Sequence, residues 1–393
     1  MIKVRLGIVG LGNMGSAHLK YLTQMEDVSL VGVCDLDTEK ADSFAQQYSC
    51  TAYYNHADML EKAGLNALLI SVPHYDHVPI AIDAFKKGIH VLCEKPITVH
   101  VNGAKRMLAA YENAKKHHPG LLFGLMFQER TFPHYQKIKD ILVGGELGQL
   151  TRITWINTAW FRSQAYYDSG GWRATWAGEG GGILTNQCPH NLDMYHWLFG
   201  MPSRVNGFAH IGKYHNIEVE DEVTAYMEHK NGMVGHFIVT TGECPGENRM
   251  EIVGENGTLI YEKGKLTLYR NRSSMLAFCK TSKQGFKGVE NWECSIPIDT
   301  ARPQGHRVIT EAFISSILSG IDSLIARGAE GLNPVMLANG IMLSSFEDRT
   351  VTFPLDGDLY ETKLFSLMEK SCYVKAVVEA AEEQDMADSY SKE

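Results

Sequence analysis

The sequence lacks the features that mark several specialised classes of protein. Its eight cysteines are scattered and form no Cys-x-x-Cys pair, so they signal neither a disulfide framework nor a zinc site, and we expect no metal. Lys and Arg number 37 against 46 Asp and Glu, the net charge is -9, and no long basic run occurs. This balance argues against nucleic acid or an anionic membrane surface as a partner. No apolar run approaches the length of a membrane-spanning helix.

The start of the chain also lacks a recognisable targeting segment. Met1 leads almost directly into an apolar strand at residues 4–9, without the charged and hydrophobic regions of a signal peptide. Together with the scattered cysteines, which suit a reducing compartment, this predicts a cytoplasmic protein. The 393 residues, of which 44% are hydrophobic, suffice for two domains or one large one.

A glycine-rich loop lies between the first apolar strand and the first helical pattern. Residues 3–9 read as a buried strand, the loop has the spacing Gly-x-Gly-x-x-Gly, and a second strand at 28–34 ends in Asp35. In this arrangement the first glycine permits a tight turn, the second lets the backbone approach a pyrophosphate, and the third lets the helix pack on the strand. The alternative is a glycine turn without a ligand. The predicted dinucleotide-binding loop comprises Gly10, Gly12, Asn13, Met14 and Gly15.

The acidic residue at the end of the second strand predicts which dinucleotide binds. A carboxylate at Asp35 accepts a hydrogen bond from a free ribose hydroxyl and repels a 2′-phosphate. Residues 36–39 supply no arginine that would neutralise such a phosphate. The sequence therefore predicts NAD(H) rather than NADP(H).

Helical and strand patterns alternate up to about residue 125, and the pattern then changes. The alternation is typical of a doubly wound parallel sheet. After one more helix at 133–143, the chain reads mainly as strands, many of which alternate apolar and polar residues. The predicted fold class is α/β: an NAD-binding Rossmann domain at residues 1–125, followed by a substrate-binding α+β domain at 126–393 with a large, mostly antiparallel, open-faced sheet. The tail reads as helix over residues 360–383.

The second predicted sheet has too few helices to cover both of its faces. Alternating apolar residues around Phe237 and Val239 would then leave one face exposed, and large apolar patches imply a partner. We therefore predict a homo-oligomer, a dimer or a larger assembly, with contacts through this sheet.

A short apolar strand at residues 89–93 runs directly into Glu94-Lys95-Pro96. Open parallel sheets present their chemistry at the carboxyl ends of strands. Pro96 fixes its own φ and biases Lys95 towards an extended conformation, so the lysine is held at the sheet edge. A lysine after a strand is ordinarily a surface residue. The dinucleotide loop earlier in the chain favours a functional role here.

A second cluster of polar residues follows three glycines at 180–182. A proline near the start and a glycine at the end bound a helix that we expect to begin within residues 185–188. Asn186, His190 and Asp193 would then lie at i, i+4 and i+7 on one helical face, beneath glycines that allow a ligand to approach closely. The alternative is a buried His190 with satisfied hydrogen bonds and a solvated Asp193.

Aromatic residues and arginines fill the loop between these two motifs. Aromatic faces cover the C–H faces of a sugar ring and polar edges bond its hydroxyls, so the composition suits a sugar. Packing at a domain interface explains Trp160 and Trp172 equally well. The predicted substrate-binding residues of this loop are Trp160, Arg162, Tyr167, Trp172 and Arg173.

The glycine loop with its acid, the Glu-Lys-Pro motif and the pattern Gly-Gly-Gly-x-x-x-Asn-x-x-x-His-x-x-Asp together resemble the Gfo/Idh/MocA oxidoreductase family. The resemblance covers the first 200 residues motif by motif and the remainder by element order. It implies that Lys95 and His190 serve the substrate hydroxyl. The first acid of the motif is replaced here by Asn186, which leaves that position a hydrogen-bonding role. The resemblance also implies that residues at the strand ends line the cofactor, namely Ser71, Pro73, His74, His77, Glu94, Lys95 and Gln128.

The expected function is NAD(H)-dependent oxidation of a ring hydroxyl of a sugar or glycoside. Lys95, as an ammonium, would stabilise the developing alkoxide, and His190 would take the hydroxyl proton. Asn186 would position the hydroxyl, and Asp193 would orient His190. All four residues would line the substrate site. The Tyr-Tyr-x-x-Gly-Gly-Trp-Arg and Asn-Gln-Cys-Pro-His segments resemble members that oxidise pyranosides, including glycoside 3-dehydrogenases. That resemblance implies oxidation at C3 to a 3-keto sugar.

Two alternatives stay open. Among enzymes, the alternative is a myo-inositol 2-dehydrogenase. Outside enzymes, it is a non-catalytic NAD-binding sensor or regulatory protein, because a fold does not dictate a function. The presence of both Lys95 and His190 favours an enzyme.

Overall fold

The N-terminal third of the chain forms a six-stranded parallel sheet in the structure, a computed structural model that describes residues 3–375. The strands are β1 (Val4–Val9), β2 (Val28–Cys34), β3 (Thr51–Tyr53), β4 (Ala67–Ile70), β5 (His90–Cys93) and β6 (Phe123–Leu125). Their order is β3-β2-β1-β4-β5-β6, and every neighbouring pair is parallel. The central strands are almost wholly buried and rich in Val, Ile and Leu, as expected for a sheet covered on both faces.

Five helices connect or follow these strands: α1 (Asn13–Leu22), α2 (Thr38–Tyr48), α3 (His56–Lys62), α4 (His77–Lys86) and α5 (Val101–Lys115). Side-chain caps begin three of them, since Asp37 accepts from the backbone N–H of Lys40, Asn55 from that of Asp58 and His100 from that of Gly103. The strand order reverses between β1 and β4, so the loops that follow these strands diverge and leave a crevice at the carboxyl edge.

The second sheet contains nine strands. The strands are β7 (Leu150–Asn157), β8 (Arg204–Ile211), β9 (Glu220–Glu228), β10 (Val234–Thr240), β11 (Asn248–Gly254), β12 (Gly257–Glu262), β13 (Lys265–Asn271), β14 (Asn291–Ile296) and β15 (Val351–Thr352). Their order is β14-β13-β12-β11-β7-β10-β9-β8-β15, and β7 with β10 is a parallel pair in an otherwise antiparallel arrangement. The two sheets confirm the predicted fold class.

Up to residue 375, seven further α-helices follow: α6 (Pro133–Val143), α7 (Gln164–Asp168), α8 (Pro189–Phe199), α9 (Met275–Thr281), α10 (His306–Ser319), α11 (Leu332–Glu347) and α12 (Gly357–Lys370). Helix α11 is buried at every position from Pro334 to Ser344, and it packs against β8, α8 and α5. A helix that is apolar on all sides belongs inside a protein, so α11 is a central element of the second unit.

The two faces of the second sheet differ in burial. Phe237 and Val239 on β10 are fully buried, on the face that the helices cover. Their neighbours His236 and Ile238 point to the opposite face and are partly exposed, as is Tyr226 opposite His236 on β9. The apolar residues that stay open are therefore the neighbours of Phe237 and Val239, not those two side chains themselves.

Helix α10 returns from the second half of the chain to the first sheet. Ile309, Phe313 and Ile314 lie in one apolar cluster with Leu6 of β1 and Leu19 of α1. The division into residues 1–125 and 126–393 therefore separates the two sheets but not all of the helices that cover them, and it stays a prediction for the domains.

Two predicted helices have different limits in the structure. Helix α8 begins at Pro189 with Cys188 as its N-cap, so Asn186 precedes the helix. The tail helix ends at Lys370 instead of extending to residue 383, and residues 376–393 lie outside the described part of the chain. Within residues 3–375, no helix combines the length and the apolar composition needed to cross a membrane.

Candidate active site

The glycine loop after β1 has the shape that a dinucleotide needs. Gly10 has φ +92°, and a Cβ there would lie 2.1 Å from the carbonyl oxygen of Ser71. A Cβ on Gly15 would lie 1.9 Å from the carbonyl oxygen of Gly10, whereas a Cβ on Gly12 would meet nothing within 4 Å. Two glycines therefore hold the loop against the sheet, and the middle one leaves open space for a pyrophosphate. Helix α1 starts without a side-chain cap, so its N-terminal N–H groups remain for an anion.

Asp35 is fixed at the end of β2 by backbone N–H groups. Its Oδ2 accepts from Leu11 N at 2.8 Å, and its Oδ1 accepts from Asp37 N at 3.0 Å. A carboxylate has about four acceptor positions, so two remain for the hydroxyls of a ribose. The adjacent Leu36 is exposed. This geometry fits NAD and ties the carboxylate directly to the glycine loop.

The predicted cofactor-lining residues that follow β4 differ in how deeply they are buried. Ser71 and Pro73 are half-buried beside the glycine loop. His74 Nδ1 lies 3.1 Å from the carbonyl oxygen of Glu179, and burial lowers the pKa of His74 to about 3, so the ring is neutral. His77, predicted to contact the cofactor, is fully buried.

The ring of His77 links two strand ends. Its Nδ1 lies 2.8 Å from the carbonyl oxygen of Pro96, and its Nε2 lies 2.9 Å from that of Val72. Both ring nitrogens therefore lie against backbone carbonyl oxygens, and His77 connects the ends of β4 and β5. Its contact with the cofactor stays a prediction.

Glu94 is a buried carboxylate that connects β5 to helix α1. Its Oε1 accepts from His18 Nε2 at 2.7 Å, and the other ring nitrogen of His18 contacts the hydroxyl of Tyr21. Burial alone would raise the pKa of Glu94, but the hydrogen bond and charge of His18 hold it at about 2. Tyr21 contacts Thr310 on α10 at 2.9 Å, so three elements meet behind the Glu-Lys-Pro turn.

Lys95 bridges from β5 to the segment that precedes α8. Its Nζ donates to the backbone carbonyl oxygen of Asn186 at 2.9 Å. Burial lowers the pKa of Lys95, and the nearby carboxylates of Glu94, Glu129 and Glu179 oppose that shift. The structure thus places an ammonium group at the carboxyl edge of the sheet, with negative charge around it.

His190 lies on the first turn of α8, facing the same crevice. Its Nε2 is 3.1 Å from the side-chain Nε2 of Gln128, and its Nδ1 has no hydrogen-bond partner among the described residues. Burial, and then the positive charge of Lys95, hold the pKa of His190 well below 6.5. A neutral imidazole has one unprotonated ring nitrogen and is able to accept a proton. Gln128 therefore lies beside a candidate base.

Asn186 and Asp193 do not form one helical face with His190. The side-chain amide of Asn186 donates to Glu179. Both oxygens of Asp193 accept from Arg130, at 2.8 and 2.6 Å, and Asp193 is fully buried. Burial raises the pKa of Asp193 to about 6, against the opposing effect of the guanidinium. This corrects the prediction for Asp193, which pairs with Arg130 instead of orienting His190 or binding substrate.

The loop between the motifs stacks arginines on aromatic rings. The Arg162 guanidinium lies 5.7 Å from the ring of Trp160 and 5.1 Å from that of Tyr166. Arg173 lies 5.0 Å from Tyr166 and 4.9 Å from Trp172. These cation–π contacts hold both guanidinium groups against flat surfaces near the crevice.

Two aromatic residues of this loop serve packing. Tyr167 is 2% exposed and its hydroxyl contacts Thr241 Oγ1 at 2.7 Å, so the prediction that it binds substrate is corrected. Trp160 is 4% exposed and donates from its indole N–H to Asn191, which favours the packing interpretation. Trp172 is half-exposed, and its ring meets His74 edge-on at 5.4 Å, so it faces the strand ends.

Sequence reasoning missed several residues of the site. The charged residues Glu129 and Arg130 lie shortly after the apolar strand β6 and were an available signal, because a strand end of this sheet carries chemistry. No comparable signal singled out the others, which come from the short helix α7, from a turn and from α10. The missed residues are Glu129, Arg130, Tyr166, Glu179 and His306. Within residues 3–375, no group of three or more His, Cys, Asp or Glu is arranged to hold a metal ion.

Two family descriptions match the chain. Residues 4–118 match the oxidoreductase family with an NAD-binding Rossmann fold, and residues 135–260 match the GFO/IDH/MocA C-terminal domain. Glucose-6-phosphate 3-dehydrogenase from Bacillus subtilis (strain 168) is 23% identical over 279 residues, which are 68% of this chain and 76% of that protein. Inositol 2-dehydrogenase from Leifsonia xyli subsp. xyli is 24% identical over 200 residues, 51% of this chain and 54% of that protein. The matches thus span from about half to three quarters of these relatives.

Solved structures show the same arrangement of elements. The WlbA dehydrogenase from Bordetella pertussis, in complex with NADH and UDP-GlcNAcA, is 26% identical with a TM-score of 0.75, over 90% of this chain and 100% of that one. Levoglucosan dehydrogenase in complex with NADH and L-sorbose shares the fold at 19% identity, with a TM-score of 0.75 over 91% of this chain and 100% of that one. With its glycine loop, Asp35, Lys95 and His190 in place, the chain belongs to the Gfo/Idh/MocA family and is an NAD-dependent oxidoreductase acting on CH–OH groups.

Proposed function

We propose that the protein oxidises a ring hydroxyl of a sugar or glycoside, with the C3 hydroxyl of a pyranoside as the favoured position. The observation that carries the proposal is the convergence of the Lys95 ammonium and the neutral His190 imidazole at the crevice edge, beside the glycine loop. Arg162 and Arg173, each stacked on aromatic rings, supply polar edges and apolar faces of the kind that bind a sugar ring.

The residues have complementary tasks in such a reaction. The glycine loop and Asp35 would hold NAD, which would supply the hydride acceptor for the carbinol carbon. Lys95 stabilises negative charge as it develops on the substrate oxygen. His190 is neutral in the folded protein and takes the hydroxyl proton, and Asn186 positions the substrate through its side chain.

The relatives support a sugar and differ in which one. Glucose-6-phosphate 3-dehydrogenase acts at C3 by its name, and the WlbA structure contains a nucleotide-linked sugar acid. Inositol 2-dehydrogenase is also among the relatives, so inositol is the second candidate substrate. Cytoplasmic location stays a prediction, in line with eight cysteines that are all free thiols.

A substrate panel tests the proposal. Purified protein and NAD are incubated with glucose, glucose 6-phosphate, methyl glucosides, a UDP-linked sugar acid, 1,6-anhydroglucose and myo-inositol, and NADH absorbance is followed. Reduction of the product with borodeuteride and NMR then locate the oxidised carbon. Label exchange between two sugars detects turnover in which NAD stays bound.

The outcomes separate the candidates. Deuterium at C3 of a pyranoside supports the proposal, and turnover with myo-inositol alone replaces it with the inositol function. Calorimetric NAD binding without any turnover or exchange would indicate a sensor. A Lys95→Ala variant with unchanged turnover would reject the assigned roles.

We further propose that the open face of the second sheet joins copies of the chain. Exposed or partly exposed apolar side chains on this face include Phe208, Tyr226 and Ile238. Such an area on a sheet is typical of a protein–protein contact. Light scattering at micromolar concentration should show an oligomer, and a monomer would reject the proposal.

A further inference from the structure

A buried carboxylate, Glu179, is connected to the catalytic lysine through Asn186. Glu179 is 1% exposed, and its Oε2 accepts from the backbone N–H of Ala174 at 2.7 Å. Its Oε1 accepts from the side-chain amide of Asn186, whose own backbone carbonyl accepts from Lys95 Nζ at 2.9 Å. One short chain of contacts therefore joins the 174–179 turn, the segment before α8 and the end of β5.

The carboxylate decides which way the Asn186 amide points. An ionised carboxylate accepts hydrogen bonds and cannot donate them. The amide must therefore turn its NH2 group towards Glu179, which leaves the carbonyl Oδ1 on the other side. A carbonyl oxygen accepts a hydrogen bond from a substrate hydroxyl that neighbours the reacting one, so the single proton of the reacting hydroxyl is left to the base. Without Glu179, either end of the amide is free to face the substrate.

We propose that Glu179 is a positioning residue of the reaction, which presents the Asn186 carbonyl to a substrate hydroxyl beside the reacting one and keeps negative charge beside the Lys95 ammonium. The proposal rests on the function proposed above. Glu179 acts through two other residues and is not assigned contact with the substrate.

The groups around Glu179 act in opposite directions. Burial is the largest effect and raises the pKa of Glu179 above its usual value, although the Ala174 and Asn186 hydrogen bonds and the charges of Arg173 and Lys375 lower it. The negative charge of Glu179 in turn raises the pKa of Lys95, against burial. The charged and titratable groups that face Glu179 include His74, Lys95, Tyr167, Arg173, Glu220 and Lys375.

The arrangement predicts that Asn186→Asp is harmful by itself. It would place a second carboxylate within hydrogen-bond distance of Glu179, and two like charges that share a buried site cannot both ionise. Combining it with Glu179→Gln restores a carboxylate–amide pair with the donor and acceptor exchanged. The double variant should therefore recover what the single Asn186→Asp variant loses.

The test uses the full chain with NAD and four variants. Glu179→Gln, Asn186→Asp and the double variant form a cycle. Glu218→Gln is the matched control, because Glu218 Oε1 accepts from Trp176 N at 2.9 Å and so anchors the same turn from another side. Graded-pH acetylation with mass spectrometry measures the pKa of Lys95, thermal unfolding measures stability, and the pH dependence of kcat is recorded for the preferred sugar.

We expect Glu179→Gln to lower the pKa of Lys95 by roughly one unit, a typical effect for one neighbouring charge, and to shift the kcat profile with it. NAD affinity should stay within about twofold, because the glycine loop is untouched. Asn186→Asp should lower the unfolding temperature and turnover, and the double variant should recover both. Glu218→Gln should leave the pKa of Lys95 unchanged.

An unchanged pKa of Lys95 in Glu179→Gln, or a double variant as impaired as Asn186→Asp, would overturn the proposal. Failure of the proposed function has a different signature, since wild type would then oxidise no sugar of the panel. The acetylation and unfolding data need no substrate, so they decide the placement of Lys95 and Asn186 in either case.

Discussion

Gly12 and Gly15 stand three residues apart in one loop, and alanine at each should damage a different property. At Gly15 the new methyl would lie 1.9 Å from the Gly10 carbonyl oxygen, about 1.5 Å inside ordinary contact, so backbone must move. Overpacking of this kind typically costs about 1–3 kcal/mol. At Gly12 the methyl meets nothing within 4 Å, and φ is -68°, which alanine adopts freely. There the folded protein loses only a favourable N-cap residue, about 1 kcal/mol or less.

Gly12→Ala should weaken NAD binding more than it lowers the free energy of unfolding. The open space at Gly12 is where a pyrophosphate approaches the backbone, so a methyl there should weaken NAD binding by about tenfold to a hundredfold, or 1.4–2.8 kcal/mol. Urea unfolding without cofactor and calorimetric titration with NAD measure the two quantities separately. Gly120→Ala is the control, because a methyl there also meets nothing within 4 Å and lies away from the loop.

The reasoning would be refuted by either of two results. Wild-type NAD affinity in Gly12→Ala would mean that the open space is not where the cofactor lies. Unfolding of Gly15→Ala at the same urea concentration as wild type would mean that the close approach of the loop to the helix does not contribute to stability.

Four further predictions concern single side chains. NAD should bind at least about tenfold tighter than NADP, equivalent to 1.4 kcal/mol, and Asp35→Ala should reduce this difference in affinity. Equal calorimetric affinities of the wild type for NAD and NADP would contradict the prediction. Lys95→Ala should lower kcat by about 10²–10³ with NAD affinity retained, and His190→Ala should cost a similar factor and flatten the acidic limb of the pH–rate profile. Asp193→Asn should lower the free energy of unfolding by about 3 kcal/mol, because the buried Arg130 guanidinium loses one of its two carboxylate partners and keeps Glu330, whereas a change in KM alone would support the substrate-binding role. His74 has a folded pKa of about 3 against 6.5 in a free histidine, so the unfolded chain gains a proton that the folded chain does not. Stability should therefore fall as pH drops below about 6.5, and His74→Gln should reduce the slope of urea-derived unfolding free energy against pH by up to about 1.4 kcal/mol per unit.

The cofactor half of the site was predictable because its determinants are local. The spacing of Gly10, Gly12 and Gly15 follows from backbone sterics within a single turn, and the structure finds two closed positions and one open position. Asp35 and Lys95 follow buried strands, and parallel strands bring their carboxyl ends to one edge whatever the rest of the chain does.

The substrate half was predicted less well because its contacts join residues far apart in sequence. Helical spacing put Asp193 on a face with His190, but it contained no sign that Arg130, 63 residues earlier, would take both carboxylate oxygens. Pro189 was treated as a residue inside the first turn, whereas it is the first residue of the helix, so Asn186 falls outside the helical periodicity. Tyr166 and Tyr167 are adjacent, and only the three-dimensional course of their loop decides which ring is buried.

The return of α10 to the first sheet has a consequence for biosynthesis. Ile309 and Phe313 fill the apolar surface over Leu6 and Leu19, so the strands made first are covered by a helix made near the end. At a translation rate of about 5–20 residues per second, the wait between β6 and α10 is roughly ten to forty seconds. During that interval the nascent sheet has an uncovered apolar surface, which is a natural binding place for a chaperone. A chain truncated after β6 would keep that surface exposed permanently and should aggregate instead of folding alone.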